Sequence, residues 1–150
     1  MYMDKKEEAT LLFEDGFNCC QVVLSVFNDE LDLDRELALK LATGFGGGSR
    51  NGELCGAVAG ALMVLGMKDG HYIKDDNDRK IRSYGLAKEF TDRFREVYGD
   101  IVCKNLLGYD LSKPDEYKIL AENGLFKTEC PKYICTAVDI LERMIVNKSL

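Results

Sequence analysis

A cysteine follows a glycine-rich run near the middle of the chain, and its position predicts a reactive thiol. The run occupies residues 44–52, and Cys55 stands where an apolar helix is predicted to begin. Unpaired backbone N–H groups and the positive end of the helix dipole both stabilise a thiolate at such a position. We therefore expect the pKa of Cys55 to be lowered, with Arg50 favouring ionisation and Glu53 opposing it.

The same segment also has a purely structural interpretation. A second helix can approach closely over a surface of small residues, here Gly56, Ala57, Ala59, Gly60 and Ala61. A buried cysteine suits such a surface because it packs as a small hydrophobic residue. A nucleotide-binding loop is disfavoured, since no Gly-Lys-Ser/Thr follows the glycines. The segment alone leaves a reactive thiol and a packed thiol equally open.

Length, composition and charge restrict the class of protein. The 150 residues fit one domain over residues 1–150, large enough to fold without a disulfide or a metal. The net charge of −6 disfavours a nucleic-acid surface. The apolar segment at residues 55–67 is too short to cross a bilayer, and the charged N-terminus lacks the apolar core of a secretory signal. We therefore expect a cytoplasmic protein, in which structural disulfides are disfavoured.

Helical patterns cover the chain, and no strand or internal repeat is evident. Periodicity and capping residues predict helices at 5–14, 19–27, 34–42, 54–65, 77–97, 115–121 and 131 to about 146, with a short segment around 101–106. The long helix is predicted to bury one apolar stripe, made of Ile81, Tyr84, Leu86, Ala87, Phe90, Phe94 and Val97. We predict an all-α protein, a single compact domain of about six to eight helices around a buried Gly/Ala-rich central helix.

Two polar features apart from the cysteines have structural explanations. The acidic run at residues 75–78 lacks the ligand spacing of a calcium loop, so it is predicted to cap the long helix. The single histidine, His71, is predicted to lie in an exposed loop. Thiol chemistry is therefore the chemistry that the sequence favours.

The cysteines form a set without a familiar spacing: Cys19, Cys20, Cys55, Cys103, Cys130 and Cys135. On a helix, Cys19 and Cys20 point about 100° apart and Cys130 and Cys135 about 140° apart, so each pair offers one thiol to a common site. Pro131 places the sulfur of Cys130 at a helix N-terminus. The chain lacks the Cys-x-x-Cys spacing of thioredoxin, zinc-ribbon and ferredoxin sites and the Cys-x-x-Cys-His motif that attaches haem. Spacing alone leaves inert buried thiols, a metal site and a redox site open.

Several segments together resemble a family named C_GCAxxG_C_C for its cysteine pattern. They are residues 16–24, 41–48 and 55–60, followed by the two late cysteines. The resemblance spans nearly the whole chain and implies a redox-active protein whose site cysteines are Cys19, Cys55, Cys103 and Cys130. Cys20 and Cys135 are additions to this pattern. Haem is not implied, because the attachment motif is absent.

The resemblance implies a four-cysteine site for which three functions remain open. The first is redox, by dithiol/disulfide chemistry or by electron transfer through a cysteine-ligated iron–sulfur cluster. In dithiol exchange Cys55 is expected to attack, with Cys19 or Cys130 as the resolving thiol. The second is a zinc-binding module that uses the same four thiolates. The third is a helical interaction protein with inert cysteines, which packs against a partner or forms a homo-oligomer.

Two further expectations concern the surroundings of this site. The glycine run is expected to bring backbone N–H donors close to the sulfurs. A redox function implies a redox partner, which the sequence does not identify. Neither a nucleotide nor a nucleic acid is expected to bind.

Overall fold

Helices make up the ordered elements of the computed structural model, which describes residues 3–147. In chain order they are α1 (Lys5–Glu14), α2 (Cys19–Ser25), α3 (Arg35–Ala42), α4 (Gly56–Asp69), α5 (Asn77–Tyr98), α6 (Cys103–Leu107), α7 (Pro114–Glu122), α8 (Leu125–Thr128) and α9 (Cys130–Asn147). Within residues 3–147 no strand is present, which confirms the predicted all-α class. None of these helices is both long and apolar enough to span a membrane. Met1, Tyr2 and residues 148–150, which belong to the predicted 1–150 domain, lie outside the described residues.

Side-chain caps fix several of the predicted helix starts. At α2, Asn18 accepts a hydrogen bond from the N–H of Gln21 at 3.0 Å, and the Gln21 side chain accepts one from the N–H of Asn18 at 2.9 Å. This reciprocal capping box satisfies two backbone donors that would otherwise lack partners. Asp34 caps α3, and Asp76 caps α5, as predicted for the acidic run. His71 is exposed, also as predicted.

The central helix is α4, and its small residues allow α2 to approach closely. The first six residues of α4 are all buried. A Cβ atom at Gly60 would lie 2.9 Å from the carbonyl oxygen of Cys20 and 3.0 Å from Cβ of Val23. A Cβ atom at Gly56 would lie 3.2 Å from Cβ of Cys19. The predicted Gly/Ala-rich central helix is confirmed, and its glycines set the distance at which Cys19 faces the start of α4.

Two predicted helix ends are wrong, and the sequence does not predict one short helix. The helix predicted to end before Gly66 continues to Asp69, and the carbonyl of Gly66 accepts the N–H of Gly70 at 2.7 Å. A glycine inside a helix costs only about 1 kcal/mol, and the last turn is held by the Ser83 hydroxyl, which donates to the carbonyl of Asp69 at 2.6 Å. Conversely, α2 ends at Ser25 rather than at residue 27. The single-turn helix α8 has too little periodicity to be predicted.

The predicted apolar stripe of α5 is partly wrong. The buried residues of this helix are Leu86, Phe90 and Phe94. Ile81, Tyr84 and Val97 are 70 %, 63 % and 58 % exposed. Periodicity gives the side of a helix that is apolar, but the neighbouring helices decide how much of that side they cover.

Candidate redox site

One small pocket brings together four of the six cysteines: Cys19, Cys55, Cys103 and Cys130. All six cysteines are free thiols. Cys19, Cys103 and Cys130 are the first residues of α2, α6 and α9, and Cys55 immediately precedes α4. Four helix N-termini therefore meet at the pocket, and the sequence predicts such a position for Cys19, Cys55 and Cys130 but not for Cys103.

A short backbone bridge positions Cys55 and Cys103. Leu54 and Val102 form an isolated antiparallel bridge. Each of the two cysteines follows a bridge residue and donates its N–H to a carbonyl of the opposite segment, at 2.8 Å for Cys55 and 2.6 Å for Cys103. This pairing is not predictable from the sequence, because a single bridge lacks the alternating pattern of a strand.

Tyr133 connects α6 to α9 and so holds Cys103 near Cys130. Its hydroxyl donates a hydrogen bond to the carbonyl of Leu106 at 3.0 Å. Its ring meets that of Tyr98 edge-on, with centroids 4.9 Å apart. Burial raises the pKa of Tyr133 to about 12, so the phenol keeps the proton that it donates. Sequence analysis did not single out this residue.

The glycine run forms a left-handed turn beside Cys19. The φ angles of Gly47, Gly48, Ser49 and Arg50 are 63°, 61°, 57° and 63°. For the two residues other than glycine, this conformation costs roughly 1–2 kcal/mol each. The N–H of Gly47 donates a hydrogen bond to the sulfur of Cys19. The effect of this bond, which acts to lower the pKa of Cys19, is in line with the expectation that the run supplies N–H donors to the sulfurs, which stays a prediction.

Arg50 also folds back toward this turn. A Cβ atom built at Gly47 would lie 2.8 Å from a terminal nitrogen of the Arg50 guanidinium. The positive charge lowers the pKa of Cys19 and acts in the same direction on Cys103. The sequence predicts that Arg50 favours ionisation of Cys55. In the structure its charge acts instead on the pKa of Cys19 and of Cys103.

Among the thiols of the pocket, Cys19 and Cys130 influence each other's pKa chiefly through a side-chain hydrogen bond. Cys130 donates and the sulfur of Cys19 accepts, so the bond stabilises the ionised form of Cys19. This bond lowers the pKa of Cys19 below its usual range, against the effect of burial, and backbone N–H donors assist it. The same bond, together with burial, raises the pKa of Cys130. Ionisation of the pair therefore starts at Cys19.

The predicted lowering of the pKa of Cys55 is wrong. Burial raises this pKa, and negative charge on Cys19 raises it further. The backbone N–H groups of Ala57 and Val58 act to lower the pKa of Cys55, as a helix N-terminus implies, but their effect is smaller. Cys55 is only 4 % exposed. The sequence identified the local donors, whereas the depth of burial depends on packing between helices.

The two remaining cysteines lie outside the pocket. Cys20 is fully buried, with its sulfur 3.8 Å from the sulfur of Met63, and burial raises its pKa to about 12. Cys135 is half-buried, with its sulfur 4.0 Å from the hydroxyl of Thr10. As the helical geometry predicted, each pair directs one thiol into the pocket and the other away from it.

Apolar side chains complete the wall of the pocket, among them Leu106, Leu107, Leu111 and Phe126. They come from α6, the loop after it and α8, and sequence analysis did not assign them to the site. Over residues 3–147, no group of three or more His, Cys, Asp or Glu side chains is arranged to hold a metal ion. The expected iron–sulfur cluster or zinc gains no support from this arrangement and stays a prediction.

Comparison with known proteins agrees with the cysteine pattern. The family described as "Putative redox-active protein (C_GCAxxG_C_C)" matches residues 17–144. No curated protein and no solved structure matches the chain. The matched region contains the glycine run and all four cysteines of the pocket. The chain therefore belongs to the C_GCAxxG_C_C family.

Proposed function

We propose that this chain is a thiol redox protein in which Cys19 and Cys130 interconvert between a dithiol and a disulfide. The proposal is carried by the position of the two cysteines at one pocket, together with the hydrogen bond from the Cys130 thiol that lowers the pKa of Cys19. This bond joins a thiol that ionises readily to one that keeps its proton. Two sulfurs in hydrogen-bond contact need little movement to form a covalent bond, provided that the Cβ atoms adopt disulfide geometry.

Access and ionisation both favour Cys19 as the attacking thiol. Reaction with an electrophilic sulfur requires a thiolate that the substrate can reach. As a whole residue Cys19 is half-buried, whereas the other three cysteines of the pocket are 4 % to 8 % exposed. Cys19 is also the one of the four whose pKa is lowered. Cys19 therefore takes the attacking role that the sequence predicts for Cys55.

The reaction uses an oxidant that contains a sulfur–sulfur bond. The Cys19 thiolate attacks one sulfur of that bond, a mixed disulfide forms, and the other sulfur leaves as a thiolate that takes a proton from solvent. Cys130 then loses its proton to solvent and attacks the sulfur of Cys19. The second half of the oxidant leaves as a thiol once protonated. The protein thereby loses two electrons and two protons, and the oxidant gains both.

Cys55 and Cys103 have a different role in this scheme. Burial raises both pKa values, for Cys103 to about 12, so both thiols stay protonated near neutral pH. They bound the pocket beside the reacting pair and keep additional negative charge away from the Cys19 thiolate. A second thiolate nearby would oppose its ionisation.

Disulfide mapping tests the assignment of the pair. The reduced protein is treated with oxidised glutathione, the remaining thiols are alkylated, and the peptides are identified by mass spectrometry. We expect a disulfide between Cys19 and Cys130, and a stable glutathione adduct at Cys19 in Cys130→Ser. Cys135→Ser is the matched control and should behave as the unaltered protein. Oxidation at another pair, or none at Cys19, contradicts the proposal.

A soft-metal site is the second candidate, because four thiols border one pocket. Thiolates are the ligands that iron–sulfur clusters and zinc favour. Anaerobic purification, a visible absorption spectrum and elemental analysis of one sample distinguish the possibilities. Iron with sulfide and thiolate-to-iron absorption indicates a cluster, and zinc without colour indicates a binding module. A metal-free protein favours the dithiol reaction.

A further inference from the structure

The pocket at the four thiols has room for a guest of only one or two atoms. Its volume is about 20 Å³, and one water-sized guest requires roughly 10–15 Å³. Its walls are apolar side chains, glycine backbone, the ring of Tyr133 and the thiols themselves, with no charged side chain among the described residues that line it. An organic substituent does not fit inside this space, so the glutathionyl group of a mixed disulfide at Cys19 would lie outside the pocket.

The chemistry of the walls selects among small guests. A polar guest such as hydrogen peroxide loses its hydration in an apolar space and regains little there, which opposes binding. A sulfur atom is polarizable and packs well against aliphatic and aromatic groups. Leu111 and Phe126 provide such groups opposite the thiols. A single sulfur atom attached to a cysteine therefore suits both the size and the polarity of the pocket.

We propose that Cys19 accepts a sulfane sulfur and holds it in this pocket as a persulfide. The substrate class is then a low-molecular-weight persulfide, R–S–SH. The inference rests on the proposed function for the identity of the reacting pair, and it adds the nature of the oxidant. Cys19 is the least buried residue among the four cysteines of the pocket, so a donor is expected to reach it first, while the new terminal sulfur lies among the apolar walls.

The transfer conserves atoms and electrons. The Cys19 thiolate attacks the outer sulfur of R–S–SH, the sulfur–sulfur bond of the donor breaks, and R–S⁻ leaves and takes a proton from solvent. Cys19 then carries –S–SH, with no net oxidation of the protein. Cys130 loses its proton to solvent and attacks the Cys19 sulfur, which expels the terminal sulfur as HS⁻. The sulfane sulfur gains the two electrons that the Cys19 and Cys130 sulfurs lose.

One experiment distinguishes the transfer of sulfur to Cys19 from its release as hydrogen sulfide. The reduced chain and the variant Cys130→Ser are incubated with glutathione persulfide, and parallel samples receive hydrogen peroxide. We expect Cys130→Ser to gain the mass of one sulfur atom at Cys19, and the unaltered protein to release hydrogen sulfide and form the disulfide. Cys19→Ser should do neither, and Cys135→Ser should match the unaltered protein. Faster oxidation by peroxide, or a sulfur adduct chiefly at another cysteine, overturns the proposal.

Filling the cavity provides a second test that leaves all thiols in place. Leu106 is half-buried and lines the pocket, so Leu106→Phe, made in the Cys130→Ser background, adds bulk there. We expect it to lower the retained persulfide by about tenfold, because overpacking opposes the extra atom. The companion variant Leu106→Ala enlarges the space and should retain the adduct. Equal retention in both variants contradicts the proposal.

The outcomes also distinguish this inference from the proposed function. Diamide oxidises neighbouring thiols without supplying sulfur. If diamide fails to join Cys19 to Cys130, the proposed function itself fails. If it forms that disulfide and glutathione persulfide leaves no sulfur on Cys19 in Cys130→Ser, only the sulfane-sulfur inference fails.

Discussion

The Cys130 thiol donates a hydrogen bond to the sulfur of Cys19, which joins the first residue of α9 to the first residue of α2. One proton thus lies between two sulfurs, and removal of a proton from the pair leaves the charge chiefly on Cys19. The N–H of Gly47 and the charge of Arg50 support the same outcome. Cys19 is therefore the thiol of the pocket that ionises first, because of groups in α2, in the glycine run and in α9.

The first prediction concerns the order of alkylation. We expect iodoacetamide to modify Cys19 before the other three thiols of the pocket at neutral pH, because its pKa is lowered and it is half-buried. Cys130→Ala removes the main hydrogen-bond donor and should slow the labelling of Cys19. Cys130→Ser keeps a donor and should preserve much of the rate. Peptide mapping over time measures these rates, and faster labelling of Cys55 would contradict the assignment.

The second prediction concerns the charge of Arg50. Arg50→Gln should raise the pKa of Cys19, since a cation that favours the thiolate is lost. Exposed charges contribute about 0.2–1 kcal/mol, so the labelling rate near neutral pH should fall only a few-fold. Added salt should reduce the difference by screening. Lys104→Gln is the matched control, because Lys104 pairs with Glu53 at 3.1 Å, and it should leave the rate unchanged.

The third prediction compares two glycines of α4. Gly60→Ala places a methyl group 2.9 Å from the carbonyl oxygen of Cys20, so α2 must shift, at a cost of about 1–3 kcal/mol. Gly66→Ala meets no atom within 4 Å and should stabilise the helix by about 0.5–1 kcal/mol. Urea unfolding measures both free energies. Equal effects of the two substitutions would show that close packing of α2 on α4 is not what Gly60 provides.

The fourth prediction is a loss of stability in alkaline solution. Burial raises the pKa of Cys20 and of Cys103 to about 12, whereas an unfolded cysteine has a pKa of about 8.5. The unfolded chain therefore loses these protons first. The associated stability is fully present below about pH 8.5 and is lost as pH rises toward 12, by about 1.4 kcal/mol per pH unit for each thiol.

Urea unfolding at several pH values above 8.5 checks this slope. In Cys20→Ala one of the contributing thiols is gone, so the decline with pH should be shallower even if the variant is less stable at neutral pH. A slope identical to that of the unaltered protein would show that Cys20 is not protonated in the folded state.

The fifth prediction concerns metal removal. The buried apolar residues form one core that includes Phe27, Phe90 and Leu141 and extends well beyond the pocket. A core of this extent stabilises a domain without a metal. We expect a chelator to leave the far-ultraviolet circular dichroism of the protein essentially unchanged. Cooperative loss of helicity on chelation would instead indicate a structural metal site.

Much of the fold follows from local sequence. The start of α2 is predictable because Asn18 and Gln21 satisfy its first backbone donors, and Asp76 acts similarly at α5. Limits that depend on neighbouring helices are less predictable. The extension of α4 past Gly66 ends where Arg82 and Ser83 of α5 contact Asp69, and the exposure of Ile81 reflects how far adjacent helices cover α5. Periodicity contains neither of these contacts between helices.

The sequence by itself determined the helical class, the family and the four cysteines that share the pocket. Capping, periodicity and motif order are properties of nearby residues, so they can be read along the chain. Only the tertiary structure decided which of these thiols ionises. The pKa of a thiol depends on its burial and on the donors and charges around it, and for Cys19 these come from Gly47, Arg50 and Cys130. Cys55 has the expected N–H donors of its own helix, yet its burial outweighs them.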